Sequence, residues 1–150
     1  MPGLPILLLD DDRDSTELMR RLLANAGFKG ALKTAPDAAS ALRVIDEELA
    51  ASAGPSIVIV DLSLPGMHGF DAVREIRLRL RDAFIAVMSA SDNPDDIHAA
   101  FTVGADAYLE KFPSAGQLAD IRRHLLERLS LPQHLRIVLK PGNQNRHFLR

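Results

Sequence analysis

The chain contains no cysteine, so it can form neither a disulfide bond nor a thiolate metal site. No apolar run approaches the roughly 20 residues that a membrane-spanning helix needs, and the N-terminus lacks the basic and apolar regions of a signal peptide. We therefore expect a protein of the cytoplasm. Its 150 residues, 47% hydrophobic and 25% charged, fit a single globular domain with a substantial core.

Charge is distributed unevenly along the chain. All 20 acidic residues lie in 1–130, where the net charge is −6, whereas 131–150 holds four basic residues and a charge of +4. Such a density of cations is typical of a solvated tail, and no helix-turn-helix fits there, so direct nucleic-acid binding is not expected. We interpret 130–150 as a basic tail or linker. Within it, 134–139 has the composition of a short strand, and Pro141, Gly142 and Asn143 that of a turn.

Carboxylates follow two apolar runs. Asp10 and Asp11 come directly after 6–9, and Asp61 comes directly after 57–60. Short apolar runs of this kind are typical of strands buried on both faces, and open parallel sheets bind ligands beyond the carboxyl ends of their strands. The sequence therefore predicts a functional site where these carboxylates meet.

Carboxylates crowded together must be neutralised, since like charges about 4 Å apart repel by roughly 4 kcal/mol at an effective dielectric near 20. Mg²⁺ is the usual solution, because it prefers oxygen ligands and binds a few carboxylates together with phosphate oxygens. The alternative is a solvated loop that caps the next helix. We favour that alternative for Asp12 and Asp14, and the metal site for Asp10 and Asp11.

Strand and helix patterns alternate along the chain, with five of each. Strands are expected at 6–9, 28–35, 57–60, 84–88 and 105–110. The helices between and after them are indicated by apolar faces such as Leu18, Leu22 and Ala26 beside Met19 and Leu23, Ala38 to Leu49, and Leu118 to Leu129. Predicted N-caps are Asp37, Asn93 and Ser114, the last paired with Gln117 in a capping box. This alternation predicts a parallel sheet covered by helices on both faces.

Two further polar residues follow predicted strands. Ser89 ends the fourth and Lys111 follows the fifth. If strands one, three, four and five are neighbours, a hydroxyl and an ammonium join the carboxylates at one edge of the sheet.

These residues lie in stretches that closely resemble the receiver domain of two-component response regulators. The stretches are 6–11, 58–69, 86–90 and 104–111, which read ILLLDD, VIVDLSLPGMHG, AVMSA and GADAYLEK. The resemblance covers residues 4–129. It implies a flavodoxin-like (βα)5 three-layer sandwich with strand order 2-1-3-4-5.

The resemblance also implies roles for individual residues. Asp61 would accept a phosphoryl group from the histidine of a sensor histidine kinase or a phosphotransfer protein. Asp10, Asp11, Asp61 and the Ser63 backbone carbonyl would hold Mg²⁺, with Mn²⁺ as a substitute. Lys111 would pair with Asp61 and then with the phosphoryl group. The domain would not be an enzyme in the usual sense, because it catalyses only its own phosphorylation and dephosphorylation.

The resemblance further implies a switch. The Ser89 hydroxyl would bind a phosphoryl oxygen, and Tyr108, the one tyrosine of the chain, would turn inward behind it. The output surface would comprise helix four, strand five and helix five. It would act on a downstream protein or on an effector domain absent from this sequence. The chain would be a monomer, or a homodimer promoted by phosphorylation.

Two positions deserve separate interpretation. In the family a proline joined by a cis bond usually follows the lysine, but here Phe112 intervenes before Pro113. A trans Lys111–Phe112 bond, the usual form for a non-proline residue, would place the lysine differently. His68 is expected to be an exposed loop histidine without a catalytic role.

Two other function classes remain open. Residues 12–16, Asp-Arg-Asp-Ser-Thr, match the Asp-x-Asp-x-Thr pattern of haloacid-dehalogenase-type phosphatases, which also use Mg²⁺ and an aspartate nucleophile. In those enzymes, however, the nucleophile directly follows the apolar strand, which here ends before Asp10. The second alternative is a receiver-like binding module that is never phosphorylated.

Overall fold

The computed structural model describes residues 3–63, 68–127, 136–139 and 146–148. Three sequence-based expectations lie outside these residues: the loop at 64–67, the inward position of Leu129, and the turn at 141–143. Among the described residues, none of the helices combines the length and the apolar character that a membrane span requires.

A parallel sheet forms the centre of the fold. Its first five strands are β1 (Ile6–Leu9), β2 (Leu32–Ala35), β3 (Ile57–Asp61), β4 (Phe84–Ser89) and β5 (Ala107–Glu110). They pair in the order β2-β1-β3-β4-β5, which confirms the predicted topology. β1, β3 and β4 are buried along their whole length, as their unbroken apolar sequences require, whereas the outer strand β2 is partly exposed.

Helices cover both faces of this sheet and make the three predicted layers. The five helices are α1 (Arg13–Asn25), α2 (Ala38–Ala50), α3 (Gly69–Arg79), α4 (Pro94–Thr102) and α5 (Ala115–Glu127). α1 and α5 pack on one face around Met19 and Leu118, and the other three pack on the opposite face around Ile45 and Ile76. The strand ends that carry polar residues are therefore held between two packed cores.

The helix caps form as the sequence predicts. The Asp12 carboxylate accepts from the backbone N–H of Asp14 at 2.9 Å, and the Asp37 carboxylate accepts from that of Ser40 at 2.7 Å. Asn93 caps α4. Ser114 and Gln117 form a reciprocal capping box, with bonds of 3.0 and 3.1 Å between each side chain and the other residue's N–H.

The predicted apolar faces of two helices need correction. Leu18 is 39% exposed and Leu49 is 40% exposed, although both were placed on inward faces. In α1 the side chains that enter the core are Met19 and Leu23. The row that contains Leu18 and Leu22 and the row that contains Met19 and Leu23 lie one position apart and repeat with the same helical period. Periodicity alone could therefore not decide which row faces the sheet.

Two strands extend the sheet beyond β5. β6 (Arg136–Leu139) pairs in parallel with β5, and β7 (Arg146–Phe148) pairs antiparallel with β6. The described sheet therefore has seven strands, in the order β2-β1-β3-β4-β5-β6-β7. The segment that we interpreted as a tail thus contributes two strands, and β5 is flanked by β4 and β6.

Candidate functional site

The carboxyl ends of four neighbouring strands bring the predicted polar residues together. Asp10 follows β1, Asp61 ends β3, Ser89 ends β4, and Lys111 follows β5. The strands run in parallel and are adjacent in the sheet, so their ends meet at one edge. The arrangement that the sequence predicted is therefore present.

Asp10, Asp11 and Asp61 form an acidic cluster. One carboxylate oxygen from each lies within 4.8 Å of the others. Asp10 is only 3% exposed and Asp61 only 2%, whereas Asp11 is exposed. Two buried carboxylates beside a solvent-facing third form an all-oxygen donor set that is compatible with a divalent metal ion.

Asp10 provides an independent test of that fit. Its Oδ1 accepts from the Asp12 N–H at 2.9 Å, but its Oδ2 is buried and has no hydrogen-bond partner among the described residues. Burial raises the pKa of the Asp10 carboxyl, and the nearby charge of Asp61 adds to this, while the Asp12 N–H and Lys111 oppose it. A buried carboxylate oxygen without a donor is the kind of atom that a hard cation would satisfy.

Lys111 forms an ion pair with the Asp61 carboxylate. Its Nζ lies 2.8 Å from Asp61 Oδ2, and Asp61 Oδ1 accepts from the Ser63 N–H at 3.0 Å. The Lys111–Phe112 peptide bond is cis, so the trans bond that would have placed the lysine differently is not present. The backbone N–H of Lys111 also donates to the Ser89 carbonyl at 2.8 Å, which ties the end of β5 to that of β4.

Tyr108 already lies inside the protein. Its ring is 1% exposed, and its hydroxyl donates to the Ser91 carbonyl at 2.8 Å. Burial raises the pKa of this hydroxyl. The Ser89 hydroxyl accepts from the Ser91 N–H at 3.1 Å. Both residues of the predicted switch therefore bond to Ser91, which was not predicted to take part in the switch.

Two other residues near the site act as helix caps. His68 is exposed, as expected, but it also caps α3, because its Nδ1 accepts from the Phe70 N–H at 3.2 Å. Asp12, the first aspartate of the phosphatase-like pattern, is committed to capping α1. It neither follows the strand directly nor belongs to the acidic cluster, so that pattern has no catalytic counterpart here.

A partly buried arginine was not predicted from the sequence. Arg77 on α3 donates to the carbonyls of Ala83 and Gly104, both at 2.8 Å, and to Asp106 Oδ2 at 2.7 Å. Asp106 also accepts from the Ile85 N–H at 2.9 Å. These bonds fasten the loops before β4 and β5, the two strands that carry Ser89 and Lys111. The Gly-Ala-Asp sequence before β5 was the available signal, but nothing local pointed to Arg77 as its partner.

The five parallel strands, their order and the helices on both faces define an α/β domain of the flavodoxin-like type, with an acidic cluster and a lysine at the carboxyl ends of its strands. The chain belongs to the response regulator receiver domain family, whose family model matches residues 6–122. It is thus a receiver of the two-component signalling class, and the phosphatase alternative is not supported.

Individual relatives agree with this assignment. Response regulator MprA from Mycobacterium sp. (strain KMS) is 34% identical over 125 residues, which are 83% of this chain and 51% of that protein. The chain thus spans about half the length of the curated relatives it matches. Among solved structures, the phosphorylated cyanobacterial phytochrome response regulator RcpA is 27% identical, with a TM-score of 0.67 over 85% of this chain and 95% of that one. A LuxR-family two-component response regulator from Aurantimonas sp. SI85-9A1 is 28% identical, with a TM-score of 0.74 over 93% and 91%.

Proposed function

We propose that this receiver domain accepts a phosphoryl group on Asp61 in a reaction that depends on a divalent cation. The observation that carries the proposal is the buried Asp61 carboxylate, held by Lys111 at 2.8 Å inside an acidic cluster. A lysine and a backbone N–H orient the carboxylate, and Asp10 and Asp11 stand beside it. Carboxylates are weak nucleophiles, so this positioning and charge compensation would supply most of the rate.

The phosphoryl donor would be the histidine of a sensor histidine kinase or a phosphotransfer protein. An Asp61 oxygen forms the new P–O bond while the P–N bond to that histidine breaks, and the nitrogen keeps the bonding electron pair. Lys111 would pair first with the Asp61 carboxylate and then with the phosphoryl oxygens. The Ser89 hydroxyl would donate a hydrogen bond to one of these oxygens. In this scheme the domain catalyses only its own phosphorylation and its later hydrolysis.

Asp10, Asp11, Asp61 and the backbone carbonyl of Ser63 would hold the metal ion, which we assign as Mg²⁺ with Mn²⁺ as a substitute. The Oδ2 of Asp10, which has no hydrogen-bond partner among the residues that the structure describes, supports this assignment. When bound, the ion would supply positive charge against the oxygens of the transferring phosphoryl group.

The output surface would be the one formed by α4, β5 and α5, now extended by β6 and β7. β6 lies directly beside β5, with Val138 opposite Tyr108 in the register, so β5 does not present an open edge to a partner. The downstream target would be another protein or an effector domain outside this chain. A cytoplasmic location and a monomer or a phosphorylation-promoted homodimer remain predictions.

The test is intact-mass measurement after incubation with Mg²⁺ and acetyl phosphate. The wild type is expected to gain one phosphoryl group, and to gain none when the metal is chelated. Asp61→Asn should gain none, whereas Asp14→Asn, which alters an exposed carboxylate outside the cluster, should behave like the wild type. Equal uptake by wild type and Asp61→Asn would refute the assignment. A folded wild type that takes up nothing, from acetyl phosphate or from phosphorylated kinases, would favour a binding module that is never phosphorylated.

A further inference from the structure

Ser91, in the loop between β4 and α4, uses all three of its polar groups to join separate parts of the fold. Its N–H donates to Ser89 Oγ at 3.1 Å, and its carbonyl accepts from the Tyr108 hydroxyl at 2.8 Å. Its own hydroxyl donates to Asp96 Oδ2 at 2.7 Å. One residue therefore contacts the Ser89 hydroxyl, the buried tyrosine and the fourth helix.

The bond to Asp96 ends on the first turn of α4. Asp96 is part-buried, and the Ser91 oxygen also accepts at 3.1 Å from the N–H of Asn93, the cap residue of that helix. The side chain of Ser91 thus holds the start of α4 at two points. A hydroxyl that both donates to a carboxylate and accepts from a cap residue has little freedom to move independently of the helix.

Engagement of Ser89 with a phosphoryl group would disturb this arrangement at its other end. In the structure the Ser89 oxygen is bonded to the Ser91 N–H. If Ser89 turns to donate its hydrogen to a phosphoryl oxygen, the position of its oxygen relative to that N–H changes. The displacement passes to Ser91 itself, and from there it has two routes, through the carbonyl to Tyr108 and through the hydroxyl to α4.

We propose that the Ser91 hydroxyl and Asp96 form the link that carries the state of the site to α4, separately from the link to Tyr108. Ser91 is thus a positioning residue, since it acts through Ser89 and Asp96 and not on the phosphoryl group. The inference rests on the proposed function for its signalling role. The hydroxyl link itself is made only by residues of this chain, so it can be tested without phosphate.

The first experiment measures hydrogen exchange of the α4 amides in the unphosphorylated full chain. Ser91→Ala keeps the backbone N–H and carbonyl but deletes the hydroxyl, so exchange in the first turns of α4 should be about fivefold faster, the effect of losing one ordinary hydrogen bond. Asp96→Ala should have the same effect, and the double variant should add nothing further, because both changes break one link. Unchanged exchange in Ser91→Ala would overturn the inference whatever the phosphorylation behaviour.

Three control variants separate the link from charge and packing. Asp96→Asn keeps an acceptor oxygen for the Ser91 hydroxyl, and Ser91→Thr keeps the hydroxyl, so both should exchange like the wild type. Asp95→Ala removes an exposed acid from the same helical turn. If Asp95→Ala accelerates exchange as much as Asp96→Ala does, the helix responds to lost charge, and the inference fails.

The second experiment tests transmission, with Mg²⁺ and acetyl phosphate. Because the chain has one tyrosine, 3-fluorotyrosine labelling gives a single fluorine signal that reports on Tyr108. In Ser91→Ala, phosphoryl uptake and the fluorine shift should match the wild type, whereas the phosphate-dependent change in α4 exchange should fall at least twofold. A full α4 response would overturn the inference. Absence of uptake in the wild type would instead refute the proposed function and the signalling role, while the first experiment would still decide the link.

Discussion

Lys111 Nζ lies 2.8 Å from Asp61 Oδ2, although the two residues are 50 positions apart in the chain. The Asp61 side chain is 2% exposed and the Lys111 side chain 19%. The pair joins the ends of β3 and β5 across β4, and it balances a carboxylate that has almost no access to water. A buried carboxylate held in this way is positioned to react. Removal of its lysine partner would leave a buried charge uncompensated, which destabilises the fold.

Removal of the lysine should therefore reduce stability. We expect Lys111→Met to lower the free energy of unfolding by about 2–3 kcal/mol in metal-free buffer, because the buried Asp61 carboxylate loses its hydrogen-bonded partner. Urea unfolding measures this directly. Lys33→Met is the matched control, since Lys33 pairs with Glu48 at 2.9 Å on the surface and is 56% exposed, so its loss should cost less than about 1 kcal/mol. Equal losses in the two variants would contradict the role given to Lys111.

Asp10 should have the opposite effect on stability. Its buried Oδ2 has no donor in the described part of the chain and lies near the Asp61 charge, so Asp10→Asn removes a buried charge at nearly constant volume. We expect this variant to be about 1–2 kcal/mol more stable than the wild type without metal, and to bind Mg²⁺ at least tenfold more weakly. Calorimetric titration and urea unfolding provide the two values. Asp14→Asn should change neither, and unaltered Mg²⁺ affinity in Asp10→Asn would exclude it as a ligand.

The buried hydroxyl of Tyr108 should make the stability of the fold depend on pH. Burial raises the pKa of its hydroxyl above the ordinary value of 10.0, so the folded state holds the proton more tightly than the unfolded state does. Its contribution to stability is complete below pH 10.0 and is lost as the pH rises from there through the raised pKa. The Tm of Tyr108→Phe should therefore fall less steeply with rising pH in this range than the Tm of the wild type. Ultraviolet titration should show the single tyrosinate transition above pH 10.0, and a transition below it would contradict the buried position.

β6 should protect β5 from exchange. Proline has no N–H and cannot donate in a ladder, so Val138→Pro should disrupt β6 and speed exchange of the β5 amides about fivefold or more. Arg150→Pro, a substitution at the last residue and outside both added strands, should leave β5 unchanged. Exchange in β5 that is the same in both variants would show that β6 does not cover this strand in solution.

Local sequence was sufficient for the main features of the fold. Unbroken apolar runs predicted β1, β3 and β4, and the residue after each run predicted most of the site. Asp37, Asn93 and Ser114 were identifiable as caps because a cap depends on neighbours within three or four positions. The meeting of Asp10, Asp61, Ser89 and Lys111 at one edge also required the strand order, which the resemblance to receiver domains implied.

The features that were missed depend on contacts between distant residues. Arg77 satisfies the carbonyl of Gly104, 27 positions away, and no local pattern marks a helical arginine as an interior donor. The role of Ser91 needs Tyr108 from the next strand. β6 has an ordinary strand composition, but only its pairing with β5 makes it part of the sheet. The inward rows of α1 and α2 needed the position of the sheet, which periodicity does not contain.

The most direct measurement of the central claim is to locate the phosphoryl group on the chain. Wild-type protein would be incubated with Mg²⁺ and acetyl phosphate, reduced with borohydride to convert an aspartyl phosphate to homoserine, and digested for peptide mass spectrometry. We predict homoserine at position 61, in a metal-dependent amount, and at no other aspartate. Homoserine at Asp10 or Asp11, or an adduct that survives as a phosphoserine at Ser89, would contradict the assignment of Asp61 as the phosphoacceptor.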